Sequence, residues 1–291
     1  VFDSPELFPD LKNSLIDSEI PFFHTIGNHD LSGGSSSSLS ALANYEYHFG
    51  PVDYSFNRGR AHIVILNNVS YHGALKKEQI AWLRSDLKHV PKNKLLIICV
   101  HIPIQKDKLA NKDEFVEILS QFPEVHIMSG HFHLNQNILY EKNNIYEHIT
   151  GAACGTWWNG TINKCGTPNG YAVYHIKGNT ITNWYYKSTR FDSNYQIKMY
   201  APYTLFNTED YVIANVWNAD PTWKIELYED NTNKGQMEQY TDYDPGAYAL
   251  FNSLSISTST NWYHKTDHLF RLKPNNPSAS FSVKATDRFG N

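Results

Sequence analysis

The stretch LLIICVH, at residues 95–101, places six apolar residues in a row before a histidine. A continuous apolar run of this length predicts a strand that is buried on both faces, as in a parallel sheet. AHIVILNN (61–68) and VHIMSG (125–130), which are apolar except for one histidine each before their polar ends, predict two further strands. Between the runs, apolar residues three to four positions apart predict helices near 76–89 and 112–122. This alternation predicts parallel strands joined by right-handed crossovers, and therefore an α/β layered domain.

The sequence before these elements predicts one more strand and a loop. PFFHTIG (21–27) is apolar enough for a strand. SGGSSSSLS (32–40) has the composition of a mobile loop, and strand-like sequence resumes after it.

The pattern changes after about residue 145, where short alternating runs replace helices. YAVYHIKG (171–178) and TITNWYYKS (180–188) are joined by a Gly-Asn turn and predict a hairpin. From about 197 onward the sequence predicts only strands and turns, as in a small β-sandwich. We therefore expect two domains, at 1–194 and 195–291.

Composition excludes several functional classes. The chain has 291 residues, of which 41% are hydrophobic, so it can bury a core and is not globally disordered. Its 25 Lys and Arg against 29 Asp and Glu give a net charge of −4, which does not indicate a nucleic-acid partner. No apolar stretch approaches the roughly 20 residues that span a bilayer. The high aromatic content, 14%, is more typical of extracytoplasmic proteins, so we expect a periplasmic or secreted location. The sequence does not indicate an oligomeric state.

The three cysteines are too few for a disulfide scaffold. Cys99 lies inside an apolar strand and is predicted to be buried. Cys154 and Cys165 flank a loop rich in Gly and Asn, and either a bridge or two free thiols fits that spacing. A bridge would indicate an oxidising compartment.

Side chains that can bind metal follow three of the predicted strands. In open α/β sheets, ligands bind beyond the carboxyl ends of the strands, so these residues are expected to meet at one edge. Imidazole nitrogens and an amide oxygen suit Mn, Fe or Zn better than Ca. Taken singly, each motif also has a structural reading, as a turn, a core histidine or a strand edge. The residues are Asn28, His29, Asp30, His101, His131 and His133.

At these positions the sequence resembles a known family. GNHD (27–30), LLIICVH and GHFH (130–133) resemble the third, fourth and fifth signatures of the calcineurin-like metallophosphoesterases. The resemblance covers about residues 1–190. The remainder is similar to the β-rich C-terminal region of some bacterial members. The family resemblance implies a β-sandwich flanked by helices, followed by a small all-β sandwich.

The resemblance also implies an activity and a role for each residue. The activity is hydrolysis of small-molecule phosphate mono- or diesters by a metal-activated water, at a site with two divalent ions. Asn28, His101 and His131 match the ligands of one metal, and His133 matches a ligand of the other. His29 matches the histidine that acts near the leaving oxygen, and Asp30 would orient it.

The sequence departs from the family pattern upstream. The family's Asp-x-His and the Gly-Asp that bridges two metals do not occur, and VFDSPELF (1–8) resembles the segment just after that Gly-Asp. The phosphoesterase domain is therefore expected to be N-terminally incomplete. As it stands, the chain is expected to hold one metal or none, with little or no catalysis.

Two other functions fit the sequence. A non-catalytic module could bind carbohydrate or protein through the C-terminal aromatics Trp217, Trp223 and Trp262, beside a relic phosphoesterase domain. A mononuclear metal protein could use only Asn28, His101 and His131. Trp157 and Trp158 could form an aromatic wall or pack internally, and Asn68 and Asn159 match glycosylation acceptors.

Overall fold

The computed structural model describes residues 4–31, 39–70, 72–104, 111–140, 144–254 and 262–291. These residues form two compact units. The first takes residues 1–131, 140–147 and 178–180, and the second takes 132–139, 148–177 and 181–291. The domain boundary expected between 194 and 195 stays a prediction.

Among its described residues, the first unit has four α-helices and most of one sheet. Its helices are α1 (Phe8–Asp17), α2 (Leu39–Phe49), α3 (Lys77–Leu87) and α4 (Lys112–Leu119). Its strands are β1 (Tyr54–Arg58), β2 (Ala61–Ile65), β3 (Leu95–Cys99) and β4 (Val125–Ser129). The next strands along the chain are β5 (Gln136–Tyr140) and β6 (Ile145–Ile149), which include residues of both units.

The parallel arrangement expected from the three apolar runs is confirmed. β2 pairs with β3 in parallel, with Ile65 opposite Cys99, and β3 pairs with β4 in parallel, with Cys99 opposite Met128. β1 adds an antiparallel edge beside β2. Helices α3 and α4 contribute Leu83 and Phe115 to the apolar core that also contains these strands. The result is the predicted α/β layering.

One local prediction in this unit is wrong. Residues 21–27 form no strand, because they make no ladder hydrogen bonds with a neighbour, and apolar side chains alone do not define a strand. Strands resume after the Ser-rich stretch at β1, but the helix α2, which buries Ala41 and Tyr45 one turn apart, precedes them and was not predicted. Most of the predicted loop, 32–38, lies outside the described residues.

The second unit is built mainly of strands. β7 (Gly170–Lys177) and β8 (Thr180–Ser188) form the predicted hairpin. The remaining strands are β9 (Lys198–Tyr200), β10 (Val212–Asn215), β11 (Lys224–Glu229), β12 (Thr232–Gln236), β13 (Glu238–Tyr243), β14 (Lys265–Leu272) and β15 (Phe281–Thr286). They form a four-stranded sheet, β13-β14-β10-β9, and a three-stranded sheet, β12-β11-β15.

The two sheets share one apolar core, as a β-sandwich requires. Val212 and Phe270 of the larger sheet join Ile225 and Leu227 of the smaller one. Contrary to the prediction of strands and turns alone, this region contains the helix α5 (Pro245–Ser253). Proline at its first position and Asp244 as its N-cap explain the helix start, because the Asp244 carboxylate accepts a hydrogen bond from Ala247 N at 2.7 Å.

Several side-chain predictions are resolved by burial. Trp217 is 1% exposed and Trp223 packs against the sandwich core, so neither offers a surface for a glycan. Cys99, Cys154 and Cys165 are free thiols. No helix in the described ranges is long and apolar enough to cross a membrane.

Candidate functional site

Three side chains from distant parts of the chain converge in the first unit. Asn28 Oδ1 lies 2.8 Å from His101 Nε2 and 3.2 Å from His131 Nδ1. The two imidazole nitrogens are 3.1 Å apart. The site therefore consists of one amide oxygen and two ring nitrogens that form a triangle.

The parallel pairing of β3 and β4 explains why the two histidines meet. Each histidine lies two residues beyond the end of its strand. The ladder continues past both ends, since Val100 N donates to Met128 O and Gly130 N donates to His101 O, each at 3.0 Å. Neighbouring parallel strands are about 4.8 Å apart, so residues that leave them in register remain neighbours.

A tight turn presents Asn28 to this pair. Residues Asn28–Asp30 form a short 3-10 helix, and the Asp30 carboxylate accepts a hydrogen bond from Gly27 N at 2.8 Å. The backbone of Gly27 lies against the His101 ring, where an added Cβ would be 3.3 Å from His101 Cε1. Glycine therefore allows the close approach of the turn to the imidazole.

His131 adopts a backbone conformation that few residues other than glycine adopt. Its φ is +66°, in the left-handed region that non-glycine residues seldom occupy. Such strain persists where the surrounding structure fixes it, and it is concentrated at functional sites. Here it accompanies the placement of Nδ1 beside Asn28 and His101.

The triangle fits one face of a metal coordination sphere. Ligand atoms at about 2.1 Å from a metal and at right angles to each other are about 3.0 Å apart. The three contacts cannot all be hydrogen bonds, because the amide oxygen only accepts and each ring nitrogen carries at most one proton. Within the described ranges, no cluster of three or more His, Cys, Asp or Glu side chains is placed to hold a metal. The trio completes its donor set with an amide oxygen instead.

Asn68, which the sequence analysis considered only as a glycosylation acceptor, holds the backbone at His101. Its Oδ1 accepts hydrogen bonds from His101 N at 3.2 Å and Ile102 N at 3.0 Å, and its Nδ2 donates to Ile102 O at 2.6 Å. The residue is buried and its amide nitrogen is engaged, so it is not a glycosylation site. Its position just after β2 was the signal for this role, because the other site residues also follow strands.

Glu147 connects the two loops that carry the histidines. Its Oε1 accepts from Ile104 N at 2.7 Å, in the loop after His101, and from Ser129 Oγ at 3.2 Å, two residues before His131. The carboxylate is fully buried. An acid between the apolar residues at the two ends of β6 was the sequence signal for a buried polar contact.

His29 and Asp30 share the short helix with Asn28. Burial lowers the pKa of the neighbouring His24, and the negative charge of Asp30 acts in the opposite direction. Burial also raises the pKa of Tyr45, and Asp30 adds to that effect. Asp30 therefore raises the pKa of both His24 and Tyr45, which lie near the turn. Its effect on His29 stays a prediction.

His133 belongs to the second unit and is oriented there by a backbone carbonyl. Its Nδ1 donates to Gly155 O at 2.5 Å. In a neutral ring this hydrogen bond leaves the lone pair on Nε2, which is the usual preparation of a histidine for a metal. Its φ of +56° is in the left-handed region, like that of His131. The predicted role of His133 at a second metal has no further geometry to support it.

Comparison with known proteins identifies the same family as these motifs. The model for the C-terminal region of calcineurin-like phosphoesterases matches residues 147–291. A 3′,5′-cyclic-nucleotide phosphodiesterase of Nostoc sp. (strain PCC 7120) is 27% identical over 164 residues, which cover 52% of this chain and 58% of that relative. The match thus spans little more than half the length of the relative. Both matches are to calcineurin-like phosphoesterases, the family that the motifs of the site resemble.

Proposed function

We propose that this protein hydrolyses phosphate esters and that Asn28, His101 and His131 hold a divalent metal ion. The observation that carries the proposal is the convergence of their three donor atoms within 2.8–3.2 Å of one another. Resemblance to a family that uses divalent metals supports it. A bound metal ion would supply Lewis-acid chemistry at the phosphoryl group.

The residues beside the metal ligands have separate tasks in this proposal. His29 follows Asn28 in the same short helix and gives a proton to the leaving oxygen. Asp30 fixes the turn through its bond to Gly27 N and keeps the His29 ring oriented. Asn68 and Glu147 hold the backbone that carries His101, so they position a ligand without touching substrate.

Cyclic nucleotides are the first natural substrates to test, because the Nostoc relative is named for their hydrolysis. A monoester, p-nitrophenyl phosphate, and its bis-ester complete the set. The purified chain is stripped of metal with a chelator and assayed with Mn, Fe or Zn restored separately. Because the sequence contains neither the Asp-x-His nor the Gly-Asp of the family, we expect hydrolysis by this chain to be slow and to occur only with metal. No turnover of any ester with any of these ions would contradict the proposal for this chain.

Two variants test the assigned roles. We expect His101→Ala to lose both metal binding and activity, whereas His175→Ala, which alters an exposed histidine of β7, retains both. His29→Ala should slow hydrolysis of a cyclic nucleotide by roughly 10²–10⁴-fold. It should slow the p-nitrophenyl esters far less, because p-nitrophenolate leaves without a proton. An equal loss on both kinds of ester would contradict the acid role of His29.

Metal content separates the remaining alternatives. Two metal ions per chain, measured by elemental analysis, would indicate a complete site that includes His133. One ion, lost in His101→Ala and without hydrolysis, would indicate a mononuclear metal protein. The alternative of a carbohydrate-binding module loses two of its three aromatic residues, since Trp217 and Trp223 pack in the sandwich.

A further inference from the structure

The segment CGTWWNG, residues 154–160, forms a tight turn in the second unit. Trp158 N donates to Cys154 O at 2.9 Å, and Asn159 N donates to Thr156 O at 3.0 Å. Gly155, at φ +57°, has its Cα so close to the Asn169 side chain that no Cβ would fit. The turn thus has a defined shape and carries two consecutive tryptophans at its centre.

Both tryptophans occupy an unfavourable backbone conformation. Trp157 has a φ of +46° and Trp158 a φ of +64°, which for bulky side chains is unusual and strained. Packing does not explain the strain at Trp158, because its side chain is 77% exposed. Backbone strain that packing does not explain is concentrated at functional sites, so this turn is a candidate binding surface.

Trp157 connects this turn to His133 and to a cation. Its ring centre is 4.7 Å from that of His133, and Lys164 Nζ lies 5.1 Å from the Trp157 ring centre. Trp262 packs edge-on against the other side, at 5.2 Å. Lys164 forms no ion pair with the described carboxylates, so its ammonium group can pair with an anion.

We propose that Trp157, Trp158 and Lys164 form a subsite for a nucleoside phosphate, in which the Trp158 indole stacks on the base and Lys164 pairs with the phosphate. The flat, exposed indole of Trp158 suits a base, and the ammonium group over the ring of the adjacent Trp157 favours an anion over a neutral sugar. His133, which belongs to the same unit, contacts Trp157 directly. The inference rests on the proposed function in taking the nucleoside phosphate to be its substrate.

Binding in the absence of metal tests the subsite separately from catalysis. Adenosine monophosphate, ribose 5-phosphate and adenosine are titrated calorimetrically into the chelator-treated chain. We expect Trp158→Ala to weaken binding of adenosine monophosphate about ten-fold and to leave ribose 5-phosphate unchanged, because only the former has a base to stack. Trp158→Tyr should restore most of the affinity.

Lys164→Met keeps the apolar stem of the side chain and removes the charge. It should weaken both phosphates and leave adenosine unchanged. Matched controls in β7 are Tyr171→Ala, an exposed aromatic residue, and Lys177→Met, an exposed lysine, and neither should alter binding. Near-ultraviolet circular dichroism shows whether each variant is folded.

Two results would overturn the subsite: equal binding of adenosine monophosphate by the chain and all variants, or equal loss of both phosphates in Trp158→Ala. Metal-dependent hydrolysis of p-nitrophenyl phosphate without nucleotide binding would leave the proposed function standing and remove this inference. Variant-sensitive nucleotide binding without hydrolysis would do the reverse.

Discussion

At the scale of single residues, His268 links the second unit to pH. It is buried in β14, and its Nδ1 donates to Asn215 Oδ1 at 2.7 Å. Within the described part of the chain, Nε2 has no hydrogen-bond partner. A second proton on the ring would have to sit on this buried atom. Burial therefore lowers the pKa of His268 to about 4.

The sign of the pH dependence follows from this pKa. Below the ordinary value of 6.5 the unfolded chain takes up a proton that the folded chain refuses until about pH 4. The free energy of unfolding therefore falls as pH drops through this range, by about 3 kcal/mol. Replacement of the ring by an amide, in His268→Asn, should remove this loss.

Urea unfolding at pH 7 and pH 4.5 measures the effect. We expect His268→Asn to be less stable than the unaltered chain at pH 7 but to lose less stability on acidification, whereas His175→Asn behaves like the unaltered chain. Asp244 contributes with the opposite sign, because burial raises its pKa and its stabilisation is lost as pH rises above 3.8. Both proteins carry Asp244, so its contribution cancels in the comparison. Parallel loss of stability in both would contradict the prediction.

At the scale of elements, the loop after β3 depends on a side chain that follows β2. Asn68→Ala would remove three hydrogen bonds that the Asn68 side chain makes with the backbone of residues 101 and 102. Each such loss costs about 1–3 kcal/mol where it leaves a buried group unsatisfied. We expect the chain to lose stability and its affinity for Zn or Mn to fall by about 10–100-fold, as for other residues that support metal ligands.

Calorimetric titration with metal, paired with urea unfolding, separates the two effects. Leu87→Ala, in the core under α3, provides a variant of comparable instability without contact to the loop. It should retain its metal affinity. Equal loss of affinity in both variants would mean that Asn68 acts through stability alone.

The elements also show which features a sequence can reveal. β2, β3 and β4 were predicted because short apolar runs that contain β-branched residues and end in polar residues favour buried strands over helices. α2 and α5 were missed because both segments are short and rich in aromatic residues, which do not favour a helix over a strand. Tertiary packing selects the helix in such segments, and in α5 the Asp244 cap contributes. Residues 21–27 show the converse, since a strand exists only when a neighbour completes its hydrogen bonds.

The site was predictable for a related reason. His101 and His131 leave adjacent parallel strands, so strand order alone places them together. Glu147 and Asn68 could not be assigned in this way, because their roles depend on the direction of a buried side chain. The grouping of Trp157, Lys164 and His133 depends on loop conformation, which sequence spacing does not define.

At the scale of the whole molecule, metal binding should stabilise the folded chain by mass action. A ligand at 100 times its dissociation constant adds about 2.7 kcal/mol to the free energy of unfolding. For a protein of this size we expect the melting temperature to rise by about 5–10 °C. Differential scanning fluorimetry with and without Mn or Zn measures the shift. His131→Ala should abolish it, His175→Ala should not, and a shift of the same size in His131→Ala would contradict binding at the trio.

The path of the chain through the two units limits how this protein can be divided. The second unit includes residues 132–139 and 148–177, well before the sandwich strands. Within it, Asn135 donates to Trp217 O at 3.2 Å and Gln136 donates to Asp267 at 2.7 Å. A piece that begins at residue 195 would lose these partners together with the β7–β8 hairpin. A recombination event that moved only the sandwich strands would therefore separate them from contacts encoded just after GHFH. We expect the sandwich and that upstream stretch to be inherited together.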